Sequence, residues 1–161
     1  MYSPPENLPG HSRIWIYQCG SELTQAAQTA INDEARQFVE SWTAHNQALH
    51  AGFEILYNRF LIIMVDEKTS GASGCSIDKL FHFIQSLEKK LDVTFLDRMK
   101  FAYLLDGRVE AVSRTEFESL FSRGTLHGDT IVFNNLIETK EELNTGWRIP
   151  LKNSWHKDLI N

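Results

Sequence analysis

The chain has 161 residues, with 16 Lys+Arg against 21 Asp+Glu and a formal net charge of −5. Hydrophobic residues make up 42% and charged residues 23%, the balance of a folded domain able to bury a core of its own. The acidic excess disfavours binding driven by nucleic-acid phosphates, and no apolar run approaches the ~20 residues that span a bilayer.

The chain opens with Pro4, Pro5 and Pro9 inside its first ten residues. Residues 1–12 therefore read as an extended arm. They lack the basic and apolar regions of a secretory signal. The only cysteines are Cys19 and Cys75. They form no C-x-x-C pair and no disulfide framework, so a reducing cytoplasm is the expected compartment. Arg13 to Cys19 alternates, with Ile14 and Ile16 on one face and Trp15 and Tyr17 on the other, as a strand does. Gly20-Ser21 breaks it, with Ser21 as a helix cap. Leu23, Ala27, Ile31, Ala35, Phe38 and Trp42 then recur every three or four residues, which predicts a long amphipathic helix reaching about Ala44.

Two strand-like runs follow, Ala51 to Tyr57 and Phe60 to Val65, joined as a hairpin through Asn58-Arg59. The second run is apolar on both faces and should be a central, covered strand. A Gly/Ser loop, Thr69 to Gly74, leads into a second helix from about Ser76 to Leu91 with Ile77, Leu80, Ile84 and Leu87 along its stripe. Phe101 to Val112 carries Asp106-Gly107 at a tight hairpin turn. Ser113 to Glu116 and Thr139 to Glu142 are capping-box patterns, and Ile131 to Phe133 is a short strand. Trp147 and Trp155 pack the tail onto the body, with Trp155-His156 as an anchor.

The order strand, helix, strand, strand, helix, strand fits a two-layer α+β sandwich with a ferredoxin-like βαββαβ core. The expected organisation is one domain over 1–161: the arm at 1–12, the core at 13–112, and a helical and strand extension at 113–161 packing on the core. In that topology the end of the first helix, the end of the third strand and the start of the second helix meet at one sheet edge. His45, Asn46, His50, Asp66, Glu67, Cys75, Ser76 and Asp78 gather there. Cys19 falls at the opposite edge, which disfavours a Cys19–Cys75 disulfide.

Three chemistries compete for that edge, each against a bland structural reading. A thiol at a helix start has a lowered pKa, so Cys75 with His45 or His50 as base gives a candidate nucleophilic pair; otherwise Cys75 is a small buried residue. His45, His50, Asp66, Glu67 and Cys75 are the weaker candidates for a metal, without a tight ligand motif among them. The glycine-serine loop before a helix can hold a phosphate or carboxylate on exposed N–H groups, although it lacks the lysine of a Walker A loop. The last reading is preferred: a small-ligand or anion site built from His45, Asn46, His50, Cys75, Ser76 and Asp78. Trp42 reads as core. Strand aromatics Trp15, Tyr17, Phe53 and Tyr57 could stack RNA bases, but the charge opposes it and packing against the tail accounts for them better. His11, His82 and His127 read as isolated surface or packing residues.

Ser41 to Asn46, Asn58-Arg59-Phe60, Gly74 to Asp78, Val132 to Asn135 and Ser154-Trp155-His156 together resemble a family of uncharacterised bacterial proteins of about this length. The resemblance covers nearly the whole chain. Members are often labelled ABC transporter ATPase, a label that these residues do not support, since Walker A and B patterns are missing. It implies a bacterial cytoplasmic protein and carries over no catalytic residue; the cofactor stays unknown. The function expected is thus small-ligand or anion binding. A Cys75-dependent enzyme and a structural homodimer joined through a sheet face are the alternatives.

Overall fold

The unbroken apolar run from Phe60 lies at the centre of the first sheet, as its composition requires. The computed structural model describes residues 1–160. Among them are four α-helices and three small sheets of a mixed α/β protein. The chain divides into two units, Met1–Leu96 with Glu138–Glu141, and Asp97–Ile137 with Glu142 onward. No helix among the described residues is long and apolar enough to cross a membrane.

The first unit begins with β1 (Arg13–Gln18) and α1 (Gln25–Ser41). Two short strands follow, β2 (Thr43–Ala44) and β3 (Gln47–Ala48), then β4 (His50–Leu56), β5 (Phe60–Asp66) and α2 (Gly74–Leu91). The sheet order is β1-β5-β4, antiparallel throughout, from Arg13↔Val65 to Gln18↔Phe60 on one side and His50↔Asp66 to Leu56↔Phe60 on the other. Phe60 to Val65 are fully buried, so β5 is covered on both faces. Leu61, Ile63 and Val65 share one apolar cluster with Ile31 and Val39 of α1 and Leu80, Ile84 and Leu87 of α2. Both helices thus bury their stripes on one sheet face. Trp15, Tyr17 and Phe53 pack on this same cluster. That corrects their expected packing against the tail.

The helix boundaries differ from the sequence pattern. Thr24, and not Ser21, caps α1 by accepting the Ala27 N–H at 3.1 Å. The helix stops at Ser41 because Trp42 is extended (ψ 126°) and the next residues form a hairpin. The arm adds to β4 in parallel: Tyr2 bridges Ala51, and the Ser3 N–H donates to the Ala51 carbonyl at 2.8 Å. Gly52 permits this, since a Cβ there would collide with the Ser3 carbonyl.

The strand expected to complete the core, Lys100–Leu105 (β6), belongs to the second unit. Its tight turn at Asp106-Gly107, with φ of 51° and 77°, commits it to β7 (Arg108–Ser113). The free side of β1 instead meets Thr139 in an antiparallel bridge from Arg13. The core expected over 13–112 is therefore shared between the units.

In the second unit the sheet order is β7-β6-β8-β9, with β8 at Ile131–Phe133 and β9 at Arg148–Pro150. The helix α3 (Arg114–Ser122) starts where Ser113 accepts the Glu116 N–H, as its capping pattern predicts. The second capping pattern leads only into a single turn, α4 (Glu142–Thr145), and Thr139 itself forms the backbone bridge to Arg13. Tyr103, Val112, Phe117, Leu126, Val132 and Leu151 form the core. The indole N–H groups of Trp147 and Trp155 donate to Asn135 at 2.9 Å and Asn134 at 3.1 Å.

Candidate functional site

Two segments thirty residues apart meet at one edge of the first unit. The first is the β2–β3 hairpin. Thr43 pairs with Ala48 and Ala44 with Gln47, which leaves His45-Asn46 as a two-residue turn. Both have left-handed backbones, φ 49° and 62°, the geometry that matches the twist of a tight hairpin. Asparagine tolerates it well. The base closes through the Leu49 N–H to the Trp42 carbonyl at 3.0 Å.

The second segment is the start of α2. Ser73 caps it by accepting the Ser76 N–H at 3.2 Å, and the Ser76 hydroxyl accepts the Ser73 N–H at 2.7 Å. This is a reciprocal capping box with serine at its third helical position. One buried bond joins the segments: the Trp42 indole N–H donates to the Ser76 carbonyl at 2.9 Å. Trp42 is 1% exposed, so the core reading of this residue holds.

Between them lies a concavity of about 420 Å³ lined by Thr43, His45, Asn46, Ser73, Gly74, Cys75 and Lys79. Three expected residues, His45, Asn46 and Cys75, are thus brought together. Cys75 is an exposed free thiol, not a buried structural one, while Cys19 is free and buried. Gly74 and Cys75 hold the first two helical positions, whose N–H groups have no carbonyl one turn back to bond. Lys79 adds a cation one helical turn beyond Cys75.

Three expected residues do not line it. Ser76 is fully buried and its hydroxyl donates to the Ser73 carbonyl at 2.8 Å, so it serves the cap and not a ligand. His50 stands opposite Asp66 in the β4–β5 ladder. Asp78 is exposed and lies off the lining. No hydrogen bond joins Cys75 to His45 or His50 among the described residues. The carboxylates also have other partners. Asp66 accepts the Lys68 N–H at 3.0 Å and lies 3.3 Å from the His11 ring, while Glu67 accepts the Ala72 N–H at 3.0 Å.

Comparison of the chain with protein-family models, curated proteins and solved structures gives no match.

The metal alternative does not assemble: among the described residues no three His, Cys, Asp or Glu side chains stand together as ligands. Sequence reasoning missed Thr43 and Lys79, and it reached Ser73 and Gly74 only as part of the glycine-serine loop. Lys79 was legible from its i,i+4 spacing to Cys75. Ser73 was legible as a cap one turn ahead of the apolar stripe. In the second unit His156, expected with Trp155 as an anchor of the tail, is a buried imidazole. This imidazole is 1% exposed, and its Nδ1 lies 2.6 Å from the Ser154 hydroxyl. Its ring stacks on Trp155 at 3.9 Å and contacts Phe117 at 6.0 Å. Burial pushes its pKa down to about 4.

Proposed function

We propose that the first unit is a binding module for a small anionic ligand, received between the His45–Asn46 turn and the start of α2. One observation carries this: a concavity of about 420 Å³ combines the unbonded first-turn N–H groups of an 18-residue helix with Lys79 and His45. The helix dipole and the lysine both favour negative charge, and a pocket of that volume suits a small molecule. Asn46 and Thr43 supply neutral hydrogen-bonding groups that can orient it. In this reading the β1-β5-β4 order, with both helices on one face, is a ferredoxin-like core whose fourth strand has left the sheet. The compartment is the bacterial cytoplasm, in keeping with two free cysteines.

A second reading rests on His45 and Cys75 lining the same space. There the thiolate would attack an electrophile and the imidazole would serve as base. Alkylation of Cys75 separates the two. Under the binding reading inorganic phosphate or a small carboxylate slows alkylation by iodoacetamide saturably. Lys79→Ala then weakens that protection by about tenfold, the loss of one charge-assisted contact. An alkylation rate unaffected by any such anion overturns it. A covalent adduct on Cys75 that forms and turns over would instead support the enzyme reading, and a mass that rises with concentration the homodimer.

A further inference from the structure

The opposite edge of the first unit carries a cation that the concavity does not explain. Arg59 is 7% exposed, and its Nη1 is fully covered without a hydrogen-bond partner among the described residues. None of the ion pairs among the described residues includes Arg59. A covered N–H of a charged group without an acceptor costs free energy until one meets it, and an anion is the acceptor that a guanidinium matches best.

Its placement says which anion-attracting groups stand near. The Arg59 carbonyl accepts the Cys19 N–H at 2.7 Å, which carries the β1–β5 ladder one pair past Gln18↔Phe60. Cys19 and Leu61 both lie in the helix-side cluster, and strand alternation directs Arg59 to that same face. The preceding carbonyl, of Asn58, accepts the Leu23 N–H at 2.7 Å, which ties the turn to the residue before the α1 cap. Thr24 Oγ1 and its carbonyl bond the N–H groups of Ala27 and Gln28, at 3.1 and 2.9 Å. Gln25 and Ala26, the first two positions of a 17-residue helix, have no carbonyl one turn back. This edge also holds the carboxyl ends of β1 and β4, which run parallel to each other on either side of β5. The turn over it is strained: Tyr57 and Asn58 take φ of 54° and 50°, and Tyr57 is a bulky residue in a left-handed conformation.

We propose that Arg59 and the N-terminus of α1 form a second site, which takes a phosphate-type oxyanion. The guanidinium supplies the charge and a planar fork of donors, and the first-turn N–H groups of α1 supply the dipole end. The covered Nη1 is reached when the Tyr57–Asn58 turn moves aside.

The test is a titration of the full chain with inorganic phosphate, read on the Arg59 Nε–Hε signal by ¹⁵N NMR and on Tm by calorimetry. Wild type and Lys79→Ala should both show a saturable movement of that signal. Both should gain on the order of 5 °C in Tm at saturation. The Lys79 variant keeps this site distinct from the concavity. Arg59→Met should lose the phosphate-dependent rise, yet melt no lower than wild type in phosphate-free buffer, because the covered N–H without an acceptor is gone. Arg59→Lys should fold with the charge retained and show a reduced rise, which covers the case of a Met variant that does not fold. An Arg59 signal unmoved by phosphate in wild type overturns the proposal. So does an Arg59→Met variant that melts lower than wild type and keeps the full rise.

Discussion

The two units bury polar rings by different rules. In the first unit the Trp42 indole donates to a backbone carbonyl, that of Ser76 in the first turn of α2. In the second the His156 imidazole meets the Ser154 hydroxyl inside a cage of Trp155, Phe117 and Phe101. The first arrangement contains no titratable group, so its bond is the same at any pH. The second depends on the imidazole staying neutral. A fixed bond next to the concavity keeps the site's two walls in register. A buried imidazole makes its own unit answer to acid. pH therefore separates the units where temperature or urea alone would not.

The largest effect falls on the fixed bond. Trp42→Ala removes a fully buried indole and the donor to the Ser76 carbonyl, and should cost about 3–5 kcal/mol in urea unfolding. Trp42→Phe keeps most of the packing but strips the carbonyl of its indole donor, and should cost about 1–3 kcal/mol. Neither cost should change between pH 7 and pH 5. A pH-dependent cost would break the contrast, because it would mean that a titrating group supports the Trp42 bond.

The acid response of the second unit comes next. His156 has a pKa of about 4 in the folded chain against 6.5 as its ordinary value. The unfolded chain takes up the proton first, so stability is complete above pH 6.5. It falls as the pH drops from 6.5 to 4 and levels off below 4. At 1.36 kcal/mol for each unit, the window is worth about 3 kcal/mol. His156→Leu should remove that slope, leaving a variant less stable than wild type at pH 7 but closer to it at pH 4. Urea midpoints across this range check it, followed by Trp155 fluorescence in the second unit. Parallel midpoints for both proteins over the whole range would show that the imidazole is already protonated or never titrates.

What was legible in the sequence follows the same divide between local and long-range causes. The apolar run from Phe60 to Val65 fixed a central strand because no other element buries six consecutive apolar side chains on both faces. Asp106-Gly107 fixed its hairpin because turn chemistry is local. The sheet that Lys100–Leu105 joins was not legible: the hairpin gives it β7 on one side, and whether β1 or β8 takes the other side is a long-range choice that alternation does not encode. At the site, Cys75 and His45 were legible as neighbours from topology. The His45–Asn46 turn was not: the helical period of α1 runs through Trp42, and neither residue is the glycine that usually marks a left-handed turn. Ser76 was misread because a serine beside a helix start fits a ligand contact and a cap equally well. Arg59 looked like a turn residue because sequence shows position and not coverage.

The smallest effect sharpens the contrast on the first unit's side. Ser73→Ala removes the hydroxyl that accepts the Ser76 N–H and leaves the Ser76 hydroxyl only its backbone partners at Ser73. Loss of such a cap costs about 1 kcal/mol. That cost should be independent of pH, as serine does not titrate. The effect on ligand protection of Cys75 runs the other way. With the cap gone, the Ser76 N–H joins those of Gly74 and Cys75 as an unbonded donor at the head of the helix. A phosphate that binds there should therefore hold its affinity within about threefold and recover part of the lost stability by linkage. If the variant loses protection altogether, the Ser73 hydroxyl is itself a ligand contact. The concavity then works through its side chains more than through the helix start.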